Sequence, residues 1–318
     1  LTNAPSAAVA DTTSIDMDAV NQSAAPVKDA LTGFAETMTA TLESLLPQSD
    51  GPESKLFEAM RYSALGSGKF LRPYIVRTAA LMFDVPEERY LRAGAAVEMV
   101  HTYSLTHDDL PAMDDDDMRR GQPSCHIAFD EATAILAGDS LLTLSFEVLA
   151  GIKTHPDPQV RSDLVLTLAA SSGGAGMVGG QMIDLESEHT AVDAALIARL
   201  ETMKTGALIS YSSAAGAILG QAGAGAIKTL ETFGFELGLA FQITDDLLDV
   251  EGDEDDVGKK VGKDAEAGKA TFVSALGVAG ARDEARRVTD SALARLDMFG
   301  ARADELRSVA EFVLARNN

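Results

Sequence analysis

The sequence predicts an all-α fold, a single large domain with no sheet of any size. Three observations carry that expectation. The composition is rich in Ala, Leu, Met and Glu and poor in aromatics, at 5% with no Trp, which favours helices over strands. Apolar residues recur at helical spacing along most of the chain, and nothing alternates with the two-residue period of a strand. Pro and Gly fall between these periodic stretches, where helices should stop.

With 318 residues the chain is long enough to bury a sizeable core. Its net charge of −23 argues against nucleic-acid binding, which needs a basic surface. An anionic ligand would have to be drawn in by local cations or metal, against the overall field. The single cysteine, Cys125, rules out an intrachain disulfide and reads as an inert packed thiol in a reducing compartment. No apolar run of the roughly 18 residues a membrane span needs is expected, and the N-terminus shows no secretory pattern. A cytoplasmic protein is the expectation.

In chain order, residues 1–27 are Ala/Ser/Thr/Asp-rich, with Pro5 and Pro26, and read as a disordered tail ahead of a domain over 28–318. A first helix runs from Lys28 to Leu46, where Pro47 stops it. Ser54 suits the N-cap of a second, ending near Leu65. Gly66-Ser-Gly68-Lys69-Phe-Leu-Arg72-Pro73 then opens a third, with Pro73 in its first turn. Lys69 and Arg72 therefore sit at a helix N-terminus, where anions bind. A long helix from Glu87 to Thr106 delivers His101, Tyr103 and Ser104 to an acidic stretch. Further helices are expected over Asp130–Ala150, Val160–Glu186, Val192–Gln221, Leu230 onward and Thr271–Arg316.

That acidic stretch begins Asp108-Asp109-Leu-Pro-Ala-Met-Asp114 and runs on through Asp117 to Arg119-Arg120-Gly121. Six carboxylates within ten positions repel one another unless a cation sits among them. Mg²⁺ binds through a few carboxylates plus substrate phosphates, and guanidinium forks match phosphate oxygens. The stretch reads as metal plus phosphate. On an unbroken helix Asp108 and Asp114 would lie about 240° apart. Pro111 predicts instead a helix end near Asp109 and a turn that brings Asp114 back. A second patch, Thr244-Asp245-Asp246-Leu-Leu-Asp249, puts Asp245 and Asp249 on one helix face. Lys204 lies in an otherwise apolar stretch, where a buried ammonium needs a partner.

The two aspartate-rich motifs, with Gly-Lys-Phe-Leu-Arg-Pro upstream, resemble the trans-polyprenyl diphosphate synthases from about Lys28 to the C-terminus. That resemblance implies helices around a deep central cavity, usually in a homodimer, and head-to-tail prenyl transfer onto isopentenyl diphosphate from an allylic diphosphate. It implies Mg²⁺, three ions per site, held by Asp108, Asp114 and Asp245, with Asp109, Asp246 and Asp249 supporting them from behind. Lys69, Arg72, His101 and Arg120 would take isopentenyl diphosphate. Arg119, Lys204, Thr205, Gln242 and Lys259 would clamp the allylic diphosphate. Gln181 and Asp184 match a cavity-facing motif, and residues 252–269 read as a closing loop. Tyr103 and Ser104, five and four residues before Asp108, occupy the chain-length positions. An aromatic at the former implies a fifteen-carbon, farnesyl product. Geranylgeranyl synthases share nearly every other motif. A terpene cyclase would not need the second diphosphate site at Lys69 and Arg72, and a non-catalytic subunit would usually lack one acidic motif.

Overall fold

A computed structural model of the chain describes residues 17–66, 68–187, 192–251 and 271–315, and most of these are helical. The helices are α1 (Met17–Leu45), α2 (Ser54–Ala64), α3 (Leu71–Leu81), α4 (Glu87–Asp108) and a one-turn α5 (Cys125–Ala128). They continue with α6 (Glu131–Ala150), α7 (Pro158–Ser172), α8 (Met177–Ser187), α9 (Ala194–Glu201), α10 (Ala207–Leu219) and α11 (Ala224–Glu251). After residue 270 come α12 (Phe272–Arg295) and α13 (Asp304–Ala315).

α10 is the axis of the bundle. All of its residues are buried, which suits a helix that is apolar or small on every side. Helices α3, α4, α7 and α11 pack around it. Its serines return hydrogen bonds to backbone carbonyls, Ser212 Oγ to Leu208 and Ser213 Oγ to Ile209, so no hydroxyl of the pair is left without a partner in the core. α4 lies between α3 and α6 and ends at the acidic stretch. A second apolar cluster, with Ile197, Ile243, Leu247, Phe272 and Val288, joins α9, α11 and α12.

Several boundaries differ from those expected. α1 starts at Met17, ahead of the expected tail boundary; the Ala-containing stretch before Lys28 is a fair helix former despite its thin apolar pattern. Ser54 is the first helical residue, and Glu53 holds the N-cap position without a side-chain cap bond. The expected helix over 160–186 is two, because Gly173-Gly-Ala-Gly176 breaks it between α7 and α8. The stretch over 192–221 is interrupted by a π-helical turn, Thr202–Gly206. A small antiparallel hairpin, Met118–Arg119 with Gln122–Pro123, is an addition that no sequence pattern announces. Helix α6 is also long and apolar enough to cross a membrane by length and composition, against the expectation of no such run. Its Ala134, Ala137, Leu141 and Leu149 are buried in the core, and it carries Asp139 and Glu147.

Candidate active site

Asp108 closes α4 and Asp109 caps it. The chain then turns tightly, with Met113 N–H donating to the Leu110 carbonyl at 2.9 Å and Asp114 N–H to the Asp108 carbonyl at 2.8 Å. Asp114 is thereby folded back over the helix end, as Pro111 implied. Burial, and secondarily Asp114, push the Asp108 carboxyl up to about 6, although Lys204 and Arg119 pull the other way. Two carboxylates crowded in this manner favour a cation between them. Asp109 points elsewhere. It is 2% exposed and takes both Nε (2.9 Å) and Nη2 of Arg119 on one oxygen, while Asp116 lies 3.4 Å from the same guanidinium.

The hairpin delivers both arginines. Arg120 and Gly121, its two turn residues, have φ of 52° and 79°, the paired positive values of a tight two-residue hairpin turn. Arg119 is thus directed to Asp109, and Arg120 towards Glu98 of α4, Nη2 to Oε1 3.9 Å. Glu98 is 2% exposed, and burial raises its pKa against the pull of Arg120 and Arg72. Arg72, in the first turn of α3, has a buried Nε with no hydrogen-bond partner. Burial, then Arg72, Arg120 and Arg119, hold His101 well below its ordinary pKa. Phe70, at φ 46° with its ring buried, turns the chain into α3 and leaves Lys69 exposed ahead of it.

The π-helical turn supplies Lys204 and Thr205. Lys204 Nζ lies 2.5 Å from Asp184 Oδ2 of α8, which is the partner its apolar surroundings demanded. Burial pulls its pKa down, but Asp184, then Asp108 and Asp114, outweigh that and raise it; the ammonium therefore feels the first acidic motif. Thr205 Oγ1 donates to Gln242 Oε1 at 3.3 Å, and Gln242 Nε2 donates to Asp246 Oδ1 at 3.1 Å. The other oxygen of Asp246 accepts the Phe272 N–H at 2.9 Å, tying α11 to the start of α12. Asp246 and Asp249 are buried, whereas Asp245 is partly exposed. Both amide atoms of Gln181 are buried without hydrogen-bond partners. A π-turn inside a helix often marks a functional site, and this one joins α8, α10 and α11.

The chain matches the polyprenyl synthetase family profile over residues 53–308. It is 43% identical to the farnesyl diphosphate synthase of Escherichia coli (strain K12) over 268 residues, 82% of this chain and 89% of that one. It belongs to the polyprenyl synthetase family. Among solved structures, an FPP/GFPP synthase from Zymomonas mobilis superposes with a TM-score of 0.83 at 43% identity, covering 92% of this chain and 99% of that one. A geranyltransferase from Helicobacter pylori, complexed with magnesium and isoprenyl diphosphate, does so at 0.76 and 32%, covering 91% and 96%.

For a polyprenyl synthetase the donor set fits Mg²⁺. The carboxylates of Asp108 and Asp114, which interact across the end of α4, are hard oxygen donors of the kind Mg²⁺ takes, with waters and substrate phosphates filling its remaining positions. Of the residues anticipated from sequence, Lys259 and the closing loop over 252–269 lie outside the described residues. Ser104 turns its hydroxyl back to the His101 carbonyl at 2.9 Å. Tyr103 is buried one turn below Asp108, its pKa pushed up to about 12 by burial and then by Asp108. Cys125 is buried, and burial raises its thiol. Glu98 escapes the sequence reading, although its place three residues before His101, on one helix face, could flag it.

Proposed function

We propose that this polyprenyl synthetase is a farnesyl diphosphate synthase, condensing isopentenyl diphosphate with dimethylallyl or geranyl diphosphate. The observation that supports the reading is that cations are brought in by different elements. Arg72 and Arg120 act on the buried Glu98 of α4, while Lys204 of the π-turn pairs with Asp184 and interacts with Asp108 and Asp114. Two diphosphates need two such sets of cations, and a cyclase needs one.

Asp108, Asp114 and Asp245 would hold Mg²⁺, three ions in the full complex. Bound there, the metal neutralises charge gathering on the departing diphosphate. Lys204, Thr205, Gln242, Arg119 and Lys259 hold that diphosphate, and Arg72, Arg120, Lys69 and His101 fix the isopentenyl partner with its alkene towards the allylic carbon. Water must be kept from the allylic cation while it lasts. No side chain need act as a strong base, since the released diphosphate can accept the proton. Tyr103 floors the growth pocket and limits the product to fifteen carbons. The chain works as a homodimer, for which the exposed Ile135 and Leu136 of α6 offer an apolar face.

Incubation with isopentenyl and geranyl diphosphates, with and without Mg²⁺, followed by sizing of the dephosphorylated products, tests the reading. A metal-dependent fifteen-carbon alcohol supports it. A twenty-carbon product makes the chain a geranylgeranyl synthase, turnover of geranyl diphosphate alone makes it a cyclase, and no turnover makes it a non-catalytic subunit.

A further inference from the structure

The imidazole of His107 occupies a notch that only a glycine leaves open. A Cβ on Gly138 of α6 would lie 2.1 Å from His107 Nε2 and 2.5 Å from Cδ2, closer than any real contact. The same Nε2 lies 3.0 Å from the backbone carbonyl of Ile135. A carbonyl oxygen only accepts, so Nε2 carries the proton and donates it. On its other side the ring meets Tyr103 edge-on, with centroids 5.7 Å apart and planes at 80°, a favoured aromatic geometry. Although it adjoins Asp108, His107 is thus directed at α6. Gly138, His107 and Tyr103 form a continuous stack from α6 to the residue one turn below the first acidic motif.

We propose that Gly138 and His107 are positioning residues for product length, seating the Tyr103 ring that ends chain growth. This rests on the reading of Tyr103 as the pocket floor. Tyr103 is 6% exposed, and its ring is braced by His107, which is itself fixed by one hydrogen bond and one close-packed glycine. A ring without that brace can swing aside and leave room for another isoprene unit. Discrimination in an apolar pocket is sensitive to such changes, because a single methylene is worth about tenfold or more.

The test sizes products from isopentenyl and geranyl diphosphates for Gly138→Ala, His107→Ala, Tyr103→Ala and the His107→Ala/Tyr103→Ala double variant. Read at equal, low conversion, the ratio of longer products to the fifteen-carbon one does not depend on how much enzyme folds. Should Gly138→Ala not fold, His107→Ala, which adds no atoms, carries the test. Gly138→Ala and His107→Ala are expected to raise that ratio about tenfold, Tyr103→Ala to raise it further, and the double variant to match Tyr103→Ala. If His107→Ala keeps the wild-type ratio while Tyr103→Ala lengthens the product, the proposal falls and the floor stands. A double variant that lengthens beyond Tyr103→Ala shows His107 acting independently, and also overturns it. If Tyr103→Ala itself stops at fifteen carbons, floor and stack fall together.

Discussion

The amide of Asp114 donates to the carbonyl of Asp108 at 2.8 Å, so the end of one helix holds both carboxylates that the sequence separates by six positions. Burial first, and the nearness of Asp114 second, make the Asp108 charge costly without a cation, and the cost depends on pH. The Asp108 carboxyl rises from 3.8 to about 6. A folded state that binds its proton more tightly than the unfolded one loses stability as pH climbs through that window, by up to about 3 kcal/mol. Metal should return it. The Mg²⁺-induced rise in melting temperature is therefore expected to be larger at pH 8 than at pH 5, where Asp108 is protonated. An equal rise at both values would show that Asp108 does not bind the ion.

Glu98 offers a test in which two roles give opposite signs. If it merely offsets the charge of Arg72 and Arg120, Glu98→Gln makes the pocket more positive and should tighten isopentenyl diphosphate. If it orients the guanidinium groups, the same change should weaken that substrate. Its burial at 2% and its 3.9 Å approach to Arg120 favour orientation, since a desolvated charge pair is held for geometry at least as much as for energy. KM for isopentenyl diphosphate is expected to rise about tenfold, roughly 1.4 kcal/mol, with KM for geranyl diphosphate little changed.

Lys204 should behave as the matching anchor for the other diphosphate. Asp184 lies 2.5 Å from it and helps hold it charged. Lys204→Met removes the cation and should lower kcat/KM for the allylic substrate by about a hundredfold or more, in line with loss of one preorganised charge contact. Asp184→Asn keeps the cation but frees it, and should cost about tenfold, with KM for the allylic substrate rising more than kcat falls. Equal effects on both substrates would mean that Lys204 does not discriminate between the two sites.

How far these positions are legible in the sequence follows from the range of the forces that place them. The break at Pro111 and the return of Asp114 are readable, because a proline acts on its immediate neighbours. The need of Lys204 for a partner is readable too, but naming Asp184 takes tertiary packing between α8 and the π-turn. The hairpin is not, because it has only two residues per strand, too few for any periodicity, although Arg120-Gly121 is a plausible turn pair. Sequence assigns Arg119 to a diphosphate, and its two hydrogen bonds to one oxygen of Asp109 depend on that same turn. The split of 160–186 into α7 and α8 lies in plain sight in Gly173-Gly-Ala-Gly176, where glycines suggest close helix packing but in fact end one helix and start the next.

Close packing is instead the role of the next glycine pair. A Cβ on Gly180 would lie 2.3 Å from the backbone nitrogen of Lys204 and 2.7 Å from its Cα. Those are main-chain atoms, so no rotamer change can relieve the clash, and α8 or the π-turn must move. Gly180→Ala is expected to destabilise the fold by about 3 kcal/mol. The displacement falls on the segment bearing Lys204 and Thr205, so surviving folded enzyme should also lose allylic affinity, measured as a higher KM for geranyl diphosphate. Gly174→Ala is the control: a Cβ there would meet no atom within 4 Å, and it should leave melting temperature and KM close to wild type. If Gly180→Ala melts like Gly174→Ala, α8 does not press on the π-turn, and the tight seat inferred for Lys204 is wrong.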